Sequence, residues 1–218
     1  MSAPEIPRGL PGPLPPGERI LWQGRPTARG IAARALHARL VGLWFAGLAL
    51  WSGVPAAQEG GLAHGLQVAG PTLAVGAGAV LLIAGLGWLS ARTTTYTITN
   101  RRIVLQIGIA LQATLNLPFA MIADAGLHGF RDGSGDIPVR LRAGTRIAYP
   151  HLWPHARPWR VSEPQPMLRS VPDAAQVAHI LAAAVEAARA PEETALPILV
   201  ERPPVPAHPP RLAVARAG

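Results

Sequence analysis

Leu40-Val41-Gly42-Leu43-Trp44-Phe45-Ala46-Gly47-Leu48-Ala49-Leu50-Trp51-Ser52-Gly53-Val54-Pro55-Ala56-Ala57 is a run of 18 residues without a charged or histidine side chain. As a helix it would cover about 27 Å, close to the thickness of a bilayer's hydrocarbon core. Gln58 to Gly65 follows as a short polar loop, and Leu66 to Ser90 is a second run with no Asp, Glu, His, Lys or Arg. The pattern predicts a two-helix transmembrane hairpin with spans at about 40–57 and 67–90. Trp51 and Trp88 lie near span ends, where an aromatic belt sits, and Trp44 lies within the first run. Pro71 falls near the start of the second span, where a missing N–H costs least.

The flanks set the orientation. Arg25, Arg29, Arg34 and Arg39 precede the first run, and Arg92, Arg101 and Arg102 follow the second. The loop between carries Glu59 and His64 but no Arg. The positive-inside bias then places both termini in the cytoplasm. Cleavage after Val54-Pro55-Ala56 is disfavoured, because 39 residues precede the run, far more than the n-region of a secretory signal.

Composition agrees with an anchored domain. Charged residues make up 15% of the 218, against roughly 25% in an average soluble chain. All 20 basic residues are Arg, and the net charge is +8. Such a balance favours anionic lipid or an acidic partner. Nucleic acid is not expected, since no basic stripe interleaved with aromatics is present. There is no Cys, which excludes disulfides, thiolate catalysis and Cys-ligated metal.

Beyond the runs the chain divides into four stretches. Residues 1–17 are a Pro/Gly-rich tail, 18–92 hold an N-terminal segment and the hairpin, 93–188 form a domain, and 189–218 are a second Pro-rich tail. Residues 27–39 can form a basic helix. Thr93 to Thr99 alternates and is β-branched, Asn100-Arg101 is a turn, and Arg102 to Ile109 returns as a second strand. Further strands are expected at Gln112–Leu117, Met121–Phe130, Ile137–Ala143 and Thr145–Leu152. Asp173-Ala174-Ala175-Gln176 reads as a capping box, after which Val177, Ile180, Leu181, Ala184, Val185 and Ala188 recur at helical spacing. The fold class is therefore an α+β membrane protein: a transmembrane hairpin followed by an antiparallel β domain closed by a C-terminal amphipathic helix.

Strands that meander before a closing helix resemble the pleckstrin-homology (PH) architecture. The segments Gly17-Glu18-Arg19-Ile20-Leu21-Trp22-Gln23-Gly24-Arg25-Pro26 and Tyr96-Thr97-Ile98-Thr99-Asn100-Arg101-Arg102-Ile103 resemble the paired signatures of bacterial membrane-anchored PH proteins. Leu152-Trp153-Pro154-His155-Ala156-Arg157-Pro158-Trp159-Arg160, with Pro164-Gln165-Pro166-Met167-Leu168-Arg169, is similar to the PuhB family of photosynthetic complex assembly proteins of purple bacteria. The resemblance covers about residues 15–188. It implies help in assembling the reaction centre and core light-harvesting antenna at the bacterial inner (intracytoplasmic) membrane, without catalysis and without a cofactor. It brings no catalytic residues to carry over.

Trp153, His155, Arg157, Trp159, Arg160 and Arg169 are the candidate partner-binding residues, because Trp and Arg are the usual anchors of interfaces. Trp153 and Trp159 can equally cap an open end of the sheet. His151 and His155 are four apart, but Pro154 and Pro158 argue against the helix a metal pair would need. Arg92, Arg101 and Arg102 are candidate lipid-headgroup contacts, and they serve equally as topology determinants beside anionic lipid. Gly70, Ala74 and Gly78 form a small-xxx-small stripe for helix packing, within the hairpin, in a homodimer or against a client helix. Asp132 and Asp136 flank Gly133-Ser134-Gly135, which reads as a turn and not a calcium loop. Neither apolar run holds a His to ligate pigment or an acid for intramembrane chemistry, which disfavours a pigment-binding subunit and an enzyme. The alternative function is a general PH-like membrane protein binding lipid or peptide, with no photosynthetic role.

Overall fold

The structure is a computed structural model that describes residues 9–109, 111–142, 144, 147–158, 160 and 162–189. Its first strand, β1 (Ile20–Gly24), pairs antiparallel with β2 (Thr95–Thr99), so one sheet is built from residues on both sides of the apolar runs. β3 (Arg102–Ile107) and β4 (Ala113–Pro118) complete this sheet in the order β1-β2-β3-β4. The domain boundary expected at residue 93 is thus corrected: Ile20–Gly24 belongs to the β domain. Part of the N-terminal tail joins it as well, since Leu10 is buried and a Cβ at Gly9 would strike Thr95. Covering that outer face explains why all five residues of β2 are buried.

A second sheet centres on β7 (Gly135–Leu141). β5 (Ile122–Ala125) pairs with its end and β6 (His128–Gly129) with its start, and β8 (Met167–Val171) also pairs with it. Tyr96, Ile98, Ile103, Leu105 and Ile107 from the first sheet meet Ile122, Ile137, Val139, Leu168 and Val171 from the second. The long C-terminal helix Ala174–Arg189, α4 below, adds Val177, Leu181, Ala184 and Val185 to this core. Ile180 is half-buried and Ala188 exposed, so the buried stripe is narrower than the sequence spacing suggests.

Several local expectations change. The basic helix over 27–39 is broken: α1 (Ala28–Gly30) passes into a π-turn (Ile31–Ala35), and His37 adopts a left-handed φ of 57°. Met121–Phe130 is two short strands after a 3-10 turn at Phe119–Met121. The end of the strand expected at Thr145–Leu152 is instead helix α3 (Tyr149–Leu152), with Pro150 in its first turn, where proline is preorganised. β8 follows directly on Pro164 and Pro166, where the sequence pattern predicts no strand. No capping box forms either: Asp173 holds a left-handed φ of 48°, and no side-chain hydrogen bond of Asp173 or Gln176 closes it among the described residues.

Both apolar runs fall within α2 (Ala38–Thr93), a helical segment long and apolar enough to cross a membrane. It is interrupted at Gly61, whose φ of 79° and ψ of 174° are non-helical and suit glycine alone. The polar loop expected at 58–65 is therefore helical on both sides of that single residue. Pro55 and Pro71 lie inside helix, so Pro71 is not at a helix start as its place in the sequence suggested. A Cβ at Gly53 would meet Ala69, one at Gly76 would meet Phe45, and one at Gly42 would touch Val80. The segments before and after Gly61 consequently lie side by side along small residues.

The expected stripe at Gly70, Ala74 and Gly78 is not that seam. A Cβ at Gly70 or Gly78 meets nothing within 4 Å, and Ala74 is exposed. The seam runs instead through Ala49, Gly53, Gly65, Ala69 and Gly76, all buried. Gly76→Leu is expected to destabilise the protein in detergent by about 1–3 kcal/mol through overpacking against Phe45. Gly78→Leu should change stability by less than about 0.5 kcal/mol. Thermal midpoints of the two variants check this, and equal effects would remove the assignment of the seam.

Candidate partner-binding loop and its buried anchor

Residues 153–157 carry the chain from α3 back toward β8. Prolines at 154, 158, 164 and 166 lack the N–H that a continuous ladder needs, so a few main-chain bonds hold this loop among the described residues. Met167 N donates to the His155 carbonyl at 2.8 Å, Arg157 N donates to the Gln165 carbonyl at 2.9 Å, and Ala156 bridges to Pro166.

His155 does the rest, from inside. The imidazole is fully buried, with Nδ1 2.6 Å from the Tyr96 hydroxyl and Nε2 3.2 Å from Thr94 Oγ1. The Tyr96 oxygen also accepts from Arg169 N at 3.1 Å. The assignment that leaves no proton unpaired has Tyr96 O–H donating to Nδ1, which places the imidazole proton on Nε2 facing Thr94. Burial, followed by the nearby Arg169 charge, pushes His155 down to about 3, so the ring is neutral at physiological pH. Burial likewise raises the Tyr96 hydroxyl and keeps it protonated. The expectation that His155 faces a partner is therefore corrected. It pins the loop to β2 and to Thr94, the residue that caps the end of α2.

Arg169 is corrected in the same sense. It is buried, and its Nη1 donates to the Pro154 carbonyl at 3.0 Å. Burial lowers its pKa, an effect that Asp136 and Tyr96 oppose. Its Nε meets no acceptor among the described residues. Asp136 accepts a 2.7 Å hydrogen bond from Ser170 N, which fixes the left-handed Ser170 beside it.

What remains outside is Trp153, 58% exposed, with Arg157 and Arg160 also exposed. Arg157 Nη1 donates to Gln165 Oε1 at 3.0 Å, which orients it along the loop. Trp159 and the His151 side chain lie outside the described residues. The arrangement can offer a flat indole and guanidinium forks held on a rigid base.

The lipid candidates separate too. Arg92 is exposed, its guanidinium 4.9 Å over the Trp88 ring, and Arg101 is exposed at the β2–β3 turn. Arg102 is committed elsewhere: its Nε donates to the buried Glu18 carboxylate at 2.8 Å. It is therefore a tie between the N-terminal segment and β3, not a free headgroup contact. Asp132 behaves as a turn residue, accepting from Ser134 Oγ at 2.6 Å and pairing with Arg34 at 2.8 Å. These contacts hold its carboxyl down at about 2.

The bacterial PH domain family matches this chain over residues 41–185. A Rhodobacter capsulatus relative, described as an uncharacterized 23.7 kDa protein in the puhA 5′ region, is 39% identical over 188 residues. That alignment covers 82% of this chain and 85% of the relative. No solved structure matches.

Proposed function

We propose, from the premise that this chain belongs to the bacterial PH domain family, that it is a PuhB-type membrane-bound assembly factor for the photosynthetic reaction centre and core antenna. It acts by binding and release, not by catalysis. The observation that carries this reading is the 39% identity to a protein in the puhA 5′ region, joined to the Trp-Pro-His-Ala-Arg-Pro-Trp-Arg segment. α2 serves as the anchor: its two halves cross the bilayer as a hairpin, with both chain termini in the cytoplasm. Supporting this, only 11% of its most apolar stretch is buried, small residues face inward, and Leu43, Leu50, Leu81 and Leu82 face outward. In water that arrangement is inverted; in lipid it is the ordinary one.

Trp153, Arg157 and Arg160 form the contact with a newly inserted subunit, held beside the membrane by the His155 pin. Deleting the gene should lower reaction-centre absorbance in membranes while pigment synthesis continues. Trp153→Ala should weaken capture of reaction-centre or core-antenna subunits by about 2 kcal/mol, the effect of losing an interface anchor. Membrane insertion should be retained, as read by pull-down from solubilised membranes. The second reading, a PH-like membrane protein binding peptide or lipid outside photosynthesis, draws on a groove of about 350 Å³ between β5 and α4. Unchanged near-infrared spectra after deletion would decide for it.

A further inference from the structure

A second site lies on the other flank of the domain. α1 and the π-turn pack against the turn at 131–134, and Thr27 N donates to the Ser170 carbonyl at 3.0 Å. Between them opens a cleft of about 530 Å³, lined by Arg29, Arg34, Arg39 and Arg131 as well as Asp132 and Asp173. Arg34 is already satisfied: it pairs with Asp132, donates to Ser134 Oγ at 2.9 Å and lies 3.6 Å over the Phe130 ring. Those contacts make a fixed wall. Arg29, Arg39 and Arg131 are exposed and have no ion pair or side-chain hydrogen bond among the described residues. Four arginines and two aspartates line the cleft, and with Arg34 spent on Asp132 the guanidinium groups of Arg29, Arg39 and Arg131 are set against the single carboxylate of Asp173, a surplus of positive charge.

We propose that this cleft binds the phosphoryl group of an anionic phospholipid headgroup. Guanidinium forks match phosphate oxygens bidentately. The lipid source follows from placement. Arg39 is directly followed by Leu40, the first residue of the apolar run and itself exposed, so one wall of the cleft begins where the outward apolar face begins. Arg131 comes from a turn some 90 residues later in the chain, so the site exists only once the β domain has folded against α1. The inference goes beyond the assembly role and rests on the membrane placement of α2 but on no particular protein partner.

The test uses the full chain in a neutral detergent, titrated with short-chain phosphatidylglycerol, short-chain phosphatidylcholine and inorganic phosphate. Saturable binding of phosphatidylglycerol is expected. It should weaken by about tenfold or more in Arg29→Gln/Arg131→Gln. It should remain unchanged in Arg19→Gln/Arg140→Gln, which removes the same charge elsewhere. Arg131 lies beyond both runs in the sequence and is not one of the arginines flanking them, so Arg131→Gln alone, which should also weaken binding, leaves insertion intact and separates this result from failure of the anchor. Equal weakening in both double variants would mean diffuse attraction and overturn the site. Inorganic phosphate that displaces the lipid at equal concentration would overturn the lipid assignment in favour of a free phosphate site.

Discussion

Replacing Leu50 and Leu81 by Arg is expected to remove the protein from the carbonate-resistant membrane fraction. The two leucines are 65% and 71% exposed and point away from the seam between the halves of α2. At the centre of a membrane helix each Arg costs about 2.5–3.5 kcal/mol of insertion free energy. In water the same substitutions would be near neutral, within about 0.5 kcal/mol, because no packing is lost. The two environments therefore predict opposite results from one variant. A double variant that stays fully resistant to carbonate extraction would show that this face does not meet lipid.

The other large effect concerns acid. His155 is held at about 3 when folded and returns to its ordinary 6.5 when unfolded. Between those values the unfolded chain takes up a proton that the folded chain refuses. The stabilisation is thus complete above pH 6.5 and is lost as pH falls toward 3. From pH 7 to pH 4 this amounts to about 3 kcal/mol. Arg140 holds the Asp124 carboxyl below the usual carboxylate range, and Asp132 is held there too, so other groups titrate at the acid end. His155→Gln isolates the imidazole, since an amide can keep both hydrogen bonds but cannot titrate. Urea unfolding in detergent, followed by tryptophan fluorescence, should show a much shallower pH dependence for this variant. Parallel curves for the two proteins would assign the acid sensitivity elsewhere.

What could be read from the chain alone followed local periodicity. Thr95 to Ile107 declares itself as two strands because β-branched residues alternate around Asn100-Arg101, and the structure pairs Ile98 with Ile103 across that turn. The apolar runs are equally legible, since the length and composition that suit a hydrocarbon core are local properties of the sequence. β8 was hidden because Pro164 and Pro166 dominate its approach, while its pairing to Ile137 is set thirty residues away. Trp-Pro-His-Ala-Arg looks like one exposed loop, yet the chain turns between Trp153 and His155 so that one faces out and the other is sealed in. The hydroxyls of Tyr96 and Thr94, distant in sequence, decide which. Arg102 misled for a similar reason: its charge is visible in the sequence, but its partner Glu18 is brought to it by β1. Which small residues form the seam in α2 is not legible locally, because Gly and Ala are so frequent there that register, set by the break at Gly61, chooses among several equivalent stripes.

The pairing of β1 with β2 also imposes an order of events on synthesis. Gly24 leaves the ribosome roughly 70 residues before Thr95. At bacterial elongation rates that is a delay on the order of 4–14 s. During it the first strand has no neighbour, and its main-chain donors and acceptors must stay with water or with a chaperone. By the time Thr95 appears, all of α2 has been translated and its apolar surface has been delivered to whatever receives it. Closure of the sheet is therefore a timed event, and it reports completion of the segment it encloses. A chain whose apolar segment is delayed or misrouted presents an orphan strand, a ready substrate for quality-control proteases.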